Sequence, residues 1–167
     1  LPIAFASVAL QRADEDGEAR AVAFTAGDGG TAVQASAAIE GRFTPVRIRG
    51  RVHVDPDATM PLPVRVARSL GAKIVIAIDA SAHEDRAPPG AGAYRESDLI
   101  KRRTTAIDAA HADLVVHPDF GYWVSLSPSF RRKAIDAGYR DTMAQAKRLK
   151  ALHARALAFG QSVSGKR

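Results

Sequence analysis

Hydrophobic and polar residues alternate along VRIRGRVHV (46–54), a pattern that predicts a β-hairpin turning near Gly50. The valines and Ile48 share one parity of this run, and the arginines and His53 share the other, so we expect His53 on the more solvated face. Two earlier strand-like runs, at 1–10 and 19–26, are separated by an acidic turn and predict a second hairpin.

The middle of the chain changes to a helix and strand pattern. A helix is predicted from the prolines at 61 and 63, the helical spacing of Val64, Ala67 and Leu70, and a stop at Gly71. KIVIAI (73–78) then follows without alternation, which favours a strand covered on both faces, as in a parallel sheet. A further helix and a short buried strand, DLVVHP (113–118), repeat this order. The pattern therefore predicts an α/β fold.

The last part of the chain has hydrophobic residues at helical spacing from Pro128 to Phe159. We expect one amphipathic helix with this apolar stripe packed inward and with Gly138 as its point of interruption. Residues 160–167 are polar and small, and are expected to fray. The stripe consists of Ile135, Tyr139, Met143, Ala146, Leu149, Leu152, Ala156 and Phe159.

Charge and composition narrow the classes of function. The formal net charge of +6 arises from residues 128–167, where ten Lys/Arg and two Asp give +8, so the remaining residues sum to −2. Basicity confined to one helix does not predict nucleic-acid binding, but it leaves contact with an anionic membrane surface open. The absence of cysteine excludes disulfides, thiolate catalysis and zinc–thiolate sites. No apolar run reaches the length of about eighteen residues that a membrane span needs. A cytoplasmic or membrane-peripheral location is therefore expected.

The opening residues also bear on what the chain represents. The sequence starts with Leu1 and enters a strand-like run at once. We therefore expect it to be an internal or processed segment of a longer polypeptide.

Asp55 and Asp57 form the most conspicuous acidic pair, because they flank Pro56 directly after the predicted hairpin. One interpretation is structural: Asp57 or Thr59 caps the following helix and Asp55 is a turn acid. Another is a metal site formed by His53, Asp55 and Asp57, since alternate strand residues share a face. Local pattern leaves both interpretations open.

Three short matches to known motifs have simpler explanations. The kinase-like DFG at 119–121 has neither a glycine-rich phosphate loop nor a catalytic loop to accompany it. GDGG (27–30) lacks the Lys-Ser/Thr of a phosphate-binding loop. GQSVSG (160–165) misses the nucleophile elbow G-x-S-x-G by one residue and follows no strand. None of the three predicts a site.

A longer ordered string is more specific. It runs through AVQASAAIEGRFTPVRIRGRVHVDPDATMPLPVRVARSLGAKIVIAIDAS (32–81) and then DLVVHPDFGYWVSLSPSFRRKAIDAGYRDTM (113–143). This string resembles the C-terminal half of the patatin-like phospholipase family, especially the bacterial members related to neuropathy target esterase. The resemblance implies the C-terminal portion of a three-layer α/β fold over residues 1–159, with a mostly parallel central sheet, flanking helices and hairpins.

The resemblance also implies a chemistry. Members of the family hydrolyse lipid acyl esters with a Ser-Asp dyad and no cofactor, and the aspartate of their Asp-Gly-Gly/Ala turn corresponds to Asp55. The nucleophile elbow and the glycine-rich oxyanion loop have no counterpart here, so the isolated chain is expected to be inactive and to need the missing N-terminal half as a partner. The chain departs from the family pattern at Glu40, Pro56 and Asp57. The alternative is a non-catalytic remnant that binds a protein partner or an anionic lipid surface.

Overall fold

The computed structural model describes residues 3–15 and 17–164 and combines helices with antiparallel and parallel sheets, so the chain is an α/β protein. It divides into two compact units, Leu1–Pro63 and Val64–Arg167. Each unit is described by itself below. The assignment of residues 1–159 to one patatin-like domain stays a prediction.

The first unit is built on a four-stranded antiparallel sheet with the order β2-β1-β4-β3. Its helix begins after Asp28, whose side chain caps the first turn by accepting hydrogen bonds from the N–H groups of Gly30 and Thr31. Ala35 of this helix and Ala38, just after its end, pack into a core with Ala9 and Val46. The elements are β1 Ser7–Gln11, β2 Arg20–Phe24, α1 Gly29–Ser36, β3 Val46–Ile48 and β4 Arg51–Val54.

Both predicted hairpins are confirmed, but the predicted face of His53 is wrong. The β3–β4 turn consists of Arg49 and Gly50, both at positive φ (49° and 79°), as a tight two-residue hairpin requires. Such a turn pairs residues of opposite parity, so Val46 lies opposite His53. His53 consequently faces the same side as the buried Val46, is only 3% exposed, and meets the ring of Phe24 edge-on at 5.2 Å between centroids.

The second unit contains the parallel pairing that the sequence predicts. β5 Ile76–Ile78 and β6 Leu114–Val116 run parallel, and Leu114, Val116 and Leu152 form a core cluster beside them. Its other elements are α2 Val64–Ser69, the 3-10 turns Glu84–Arg86 and Pro89–Tyr94, α3 Arg95–Ala109, α4 Pro128–Ala144 and α5 Ala146–Ser164.

Two expectations about the sheets differ from the structure. The larger sheet of the described residues is antiparallel instead of mostly parallel. Hairpin connections join its neighbouring strands β1 to β2 and β3 to β4, whereas the parallel neighbours β5 and β6 are joined through α3. β5 is also not covered on both faces, since Ile76 and Ile78 are 44% and 53% exposed.

The C-terminal helix is also different from the prediction. It breaks at Gln145, between α4 and α5, and Gly138 lies inside α4. α5 continues to Ser164, so its backbone includes the first residues of the predicted frayed tail, and 165–167 lie outside the described residues. No helix in the described part of the chain is long and apolar enough to cross a membrane.

Candidate functional site

Asp55 follows the last residue of β4 directly. The preceding Val54 is fully buried, and the N–H of Asp55 donates to the carbonyl of Ala38 at 3.0 Å. This bond ties the end of the strand to the segment that leaves α1. The backbone of Asp55 is therefore held between β4 and the segment after α1.

A tight turn follows Asp55. Its Oδ1 accepts a hydrogen bond of 2.8 Å from the N–H of Asp57, and the carbonyl of Pro56 accepts from the N–H groups of Thr59 and Met60 at 2.9 and 2.7 Å. Neither Pro56 nor Asp57 has a positive φ. The chain thus makes this turn without the left-handed conformation that the glycines of the family pattern permit.

The predicted helix cap by Thr59 is wrong. Its hydroxyl donates to the carbonyl of Pro56 at 3.2 Å, and α2 begins only at Val64, five positions further along. The turn-acid interpretation of Asp55 agrees with the hydrogen bond from Asp57, which is the side-chain-to-backbone bond typical of aspartate in turns.

An open groove of about 490 Å³ lies beside Asp55 within the first unit. Its walls are residues 5–8 at the start of β1, one side of α1 with Val33 and Ser36, and the turn from Asp55 to Pro63. The hydroxyl of Ser7 donates to the carbonyl of Ala32 at 3.0 Å, so its proton is already engaged. The groove gives an apolar rim, from Phe5 and Val33, next to a carboxylate.

The structure does not bring His53, Asp55 and Asp57 together as metal ligands. The imidazole of His53 lies on the side of the sheet that faces Val46, with Nδ1 at 3.0 Å from the carbonyl of Arg51. Among the described residues, no group of three or more His, Asp or Glu side chains has an arrangement that would hold a metal ion.

A second polar cluster lies at the carboxyl ends of β5 and β6, and the sequence analysis missed it. Asp79 follows β5 and His117 follows β6, with 3.9 Å between Asp79 Oδ2 and His117 Nδ1. The ring of His83 stacks on His117 at 3.9 Å between centroids, and its Nε2 is buried without a hydrogen-bond partner in the described structure. The sequence signal for this cluster is a polar residue directly after each of two parallel strands, because the carboxyl ends of parallel strands lie at the same edge of a sheet.

Hydrogen bonds within this cluster hold its loop. Oδ1 of Asp79 accepts from the N–H and the hydroxyl of Ser81 at 3.0 and 2.6 Å, and Nε2 of His117 lies 3.1 Å from the Ser81 carbonyl. These contacts join the segment after β5 to the end of β6. These hydrogen bonds of the cluster are thus local contacts that stabilise the loop.

The comparison with known families adds no assignment, because no family profile matches the chain. The patatin-like interpretation rests on the ordered residues quoted in the sequence analysis and on the position of Asp55.

Proposed function

We propose that this chain is the C-terminal portion of a three-layer patatin-like serine acyl hydrolase, with Asp55 as the base of its Ser-Asp dyad. The nucleophile and the oxyanion donors come from a segment outside these residues. The substrate class is a lipid or related acyl ester.

The observation that carries the proposal is the location of Asp55 at the end of β4, on the edge of an open groove. A general base must be held rigidly and must also be reachable by the group that it deprotonates. The hydrogen bonds to Ala38 and from Asp57 hold Asp55 in position, and the groove leaves its carboxylate reachable.

The second unit supports the same proposal independently. In the described part of the chain, β5 pairs with β6 alone and leaves Ile76 and Ile78 exposed. Parallel sheets are normally covered on both faces, so this strand suits a domain that continues with further strands and helices.

The proposed reaction is acyl transfer in two steps. Asp55 accepts the proton of the serine hydroxyl as its oxygen attacks the ester carbonyl, and the proton then passes to the departing alkoxide. In the second step Asp55 accepts a proton from a water molecule as the water oxygen attacks the acyl-enzyme carbonyl. The bond from the serine oxygen to the acyl carbon then breaks, the proton passes from Asp55 to that oxygen, and the fatty acid is released. This scheme uses no cofactor.

The alternative, a non-catalytic remnant that binds a partner, has one observation in its favour. Pro56 and Asp57 replace the glycines of the family turn, and the Asp57 N–H already bonds Asp55 Oδ1. In a remnant, Asp55 would have a structural role in this turn and no catalytic one.

The two functions are separated by an esterase assay. The 167-residue chain is assayed on nitrophenyl esters alone and joined to the polypeptide encoded before Leu1, which the proposal predicts to carry G-x-S-x-G. We expect turnover only in the joined protein, lost on changing the elbow serine and retained in Ser36→Ala, the control in the groove. Two outcomes contradict the proposal. One is turnover by the chain alone that is lost in Ser36→Ala, and the other is a joined protein that has an intact elbow but no turnover.

A further inference from the structure

The outward face of α4 carries an apolar stripe. Ile135, Tyr139 and Met143, spaced four residues apart, are 64%, 71% and 52% exposed. The sequence pattern predicts that these side chains pack inward, and the structure contradicts this. The inward face is formed by smaller residues instead, with Ala137 fully buried and Ala134 and Gly138 partly buried.

Cationic side chains lie at the N-terminal end of this stripe and along one side of it. Arg131, Arg132 and Arg140 are exposed on the same helix. The acidic Asp136 lies one turn from Arg132, which offsets its charge. The other acid of α4, Asp141, accepts hydrogen bonds from the N–H of Asp119 and the guanidinium of Arg140. The exposed surface of α4 is thus both apolar and cationic.

The segment before α4 adds more exposed apolar side chains. Trp123, Val124 and Leu126 are all exposed, and Ser127 then caps the helix by accepting from the N–H of Phe130 at 3.2 Å. Tryptophan and tyrosine are the side chains enriched at the boundary between lipid head groups and acyl chains.

We propose that the outward face of α4 binds an anionic phospholipid surface, with Ile135, Tyr139 and Met143 entering the acyl boundary and Arg131 and Arg132 contacting head-group phosphates. An apolar stripe bordered by arginines, on a helix that is not long and apolar enough to cross a bilayer, is the arrangement of interfacial helices. A nucleic-acid partner would use the arginines but leave the aliphatic stripe without a role. The proposal stands apart from the catalytic role of Asp55.

The test is co-sedimentation of the full chain with vesicles of phosphatidylcholine alone or of equal parts phosphatidylcholine and phosphatidylglycerol. We expect binding to the anionic vesicles that falls as salt is raised, since salt screens exposed charges. Ile135→Ser should weaken partitioning about tenfold, and Arg132→Gln about fivefold. The matched controls are Ile107→Ser and Arg103→Gln on α3, which are similarly exposed and should leave partitioning unchanged.

Three outcomes overturn the proposal. Equal binding to both vesicle types removes the electrostatic component, and equal losses in Ile135→Ser and Ile107→Ser remove the stripe as the contact. The chain could also self-associate in lipid-free buffer. If Ile135→Ser abolishes this association and Ile107→Ser does not, a second copy of the chain covers the outward face of α4 instead. Because these residues are exposed, circular dichroism should show all four variants to be folded.

Discussion

Oδ1 of Asp55 accepts a 2.8 Å hydrogen bond from the backbone N–H of Asp57, across the intervening Pro56. This bond closes the turn that follows β4. Asp55 therefore has a structural role in addition to the catalytic role proposed above. Substitutions should affect the free energy of unfolding and the kcat differently.

Replacement of Asp55 separates the loss of the acceptor from the loss of the charge. Asp55→Ala removes the acceptor, so we expect the free energy of unfolding to fall by about 1 kcal/mol. Asp55→Asn retains an amide oxygen in the same position and should cost about 0.5 kcal/mol or less. Urea unfolding followed by circular dichroism measures both. Equal losses in the two variants would show that the acceptor is not what stabilises the turn.

His53 is predicted to contribute to the stability of the first unit. His53→Ala removes a buried ring and its edge-on contact with Phe24, and we expect a loss of about 2 kcal/mol. The control is His153→Ala on the exposed side of α5, which should change stability by less than about 0.5 kcal/mol. A small effect at His53 would place its ring on the solvated face, as the sequence pattern suggested.

The sequence predicts most of the local structure of the sheets. Both hairpins and the parallel pair of β5 and β6 follow from strand patterns and from turns such as the one at Gly50. The predicted face of His53 is wrong because the alternation does not continue through the turn, where a two-residue loop makes residues of opposite parity share a face.

The orientation of α4 and the details of the site needed tertiary structure. Helical spacing identifies Ile135, Tyr139 and Met143 as one stripe, but it cannot say which face packs inward, and small residues such as Ala137 allow the closer approach. Asp55 was correctly placed at a strand end. Its bond from Asp57 was not predicted, because it depends on the backbone path around Pro56.

Asp113 provides a prediction about acid stability. Hydrogen bonds from the N–H of Val75 and from the guanidinium of Arg68 hold the pKa of this carboxyl below its ordinary value of 3.8. Because the pKa of Asp113 is lower in the folded state than in the unfolded state, the ionised carboxylate stabilises the folded protein above pH 3.8. This contribution is lost as the pH falls through the pKa of the folded state. The Asp113→Asn variant lacks this stabilising contribution at every pH.

We therefore expect Asp113→Asn to be less stable than the unmodified protein near neutral pH and the gap to narrow below pH 3.8. Urea unfolding on both sides of this pH measures the gap. Asp136→Asn, on the exposed face of α4, is the control and should change the free energy of unfolding by less than about 0.5 kcal/mol. A gap for Asp113→Asn that stays constant with pH would contradict this account of the ion pair.

The central claim, that Asp55 is the base of an acyl hydrolase, is tested most directly by the kcat for ester hydrolysis in the chain joined to its nucleophile-bearing segment. Asp55→Asn keeps the shape of the side chain but cannot accept the serine proton, so kcat should fall about a hundredfold to ten-thousandfold while the fold stays intact. Asp57→Asn retains the backbone N–H that bonds Asp55 and should leave kcat almost unchanged. An essential Asp57 with a dispensable Asp55 would contradict the assignment and show that Pro56 has moved the catalytic carboxylate to the next acidic position.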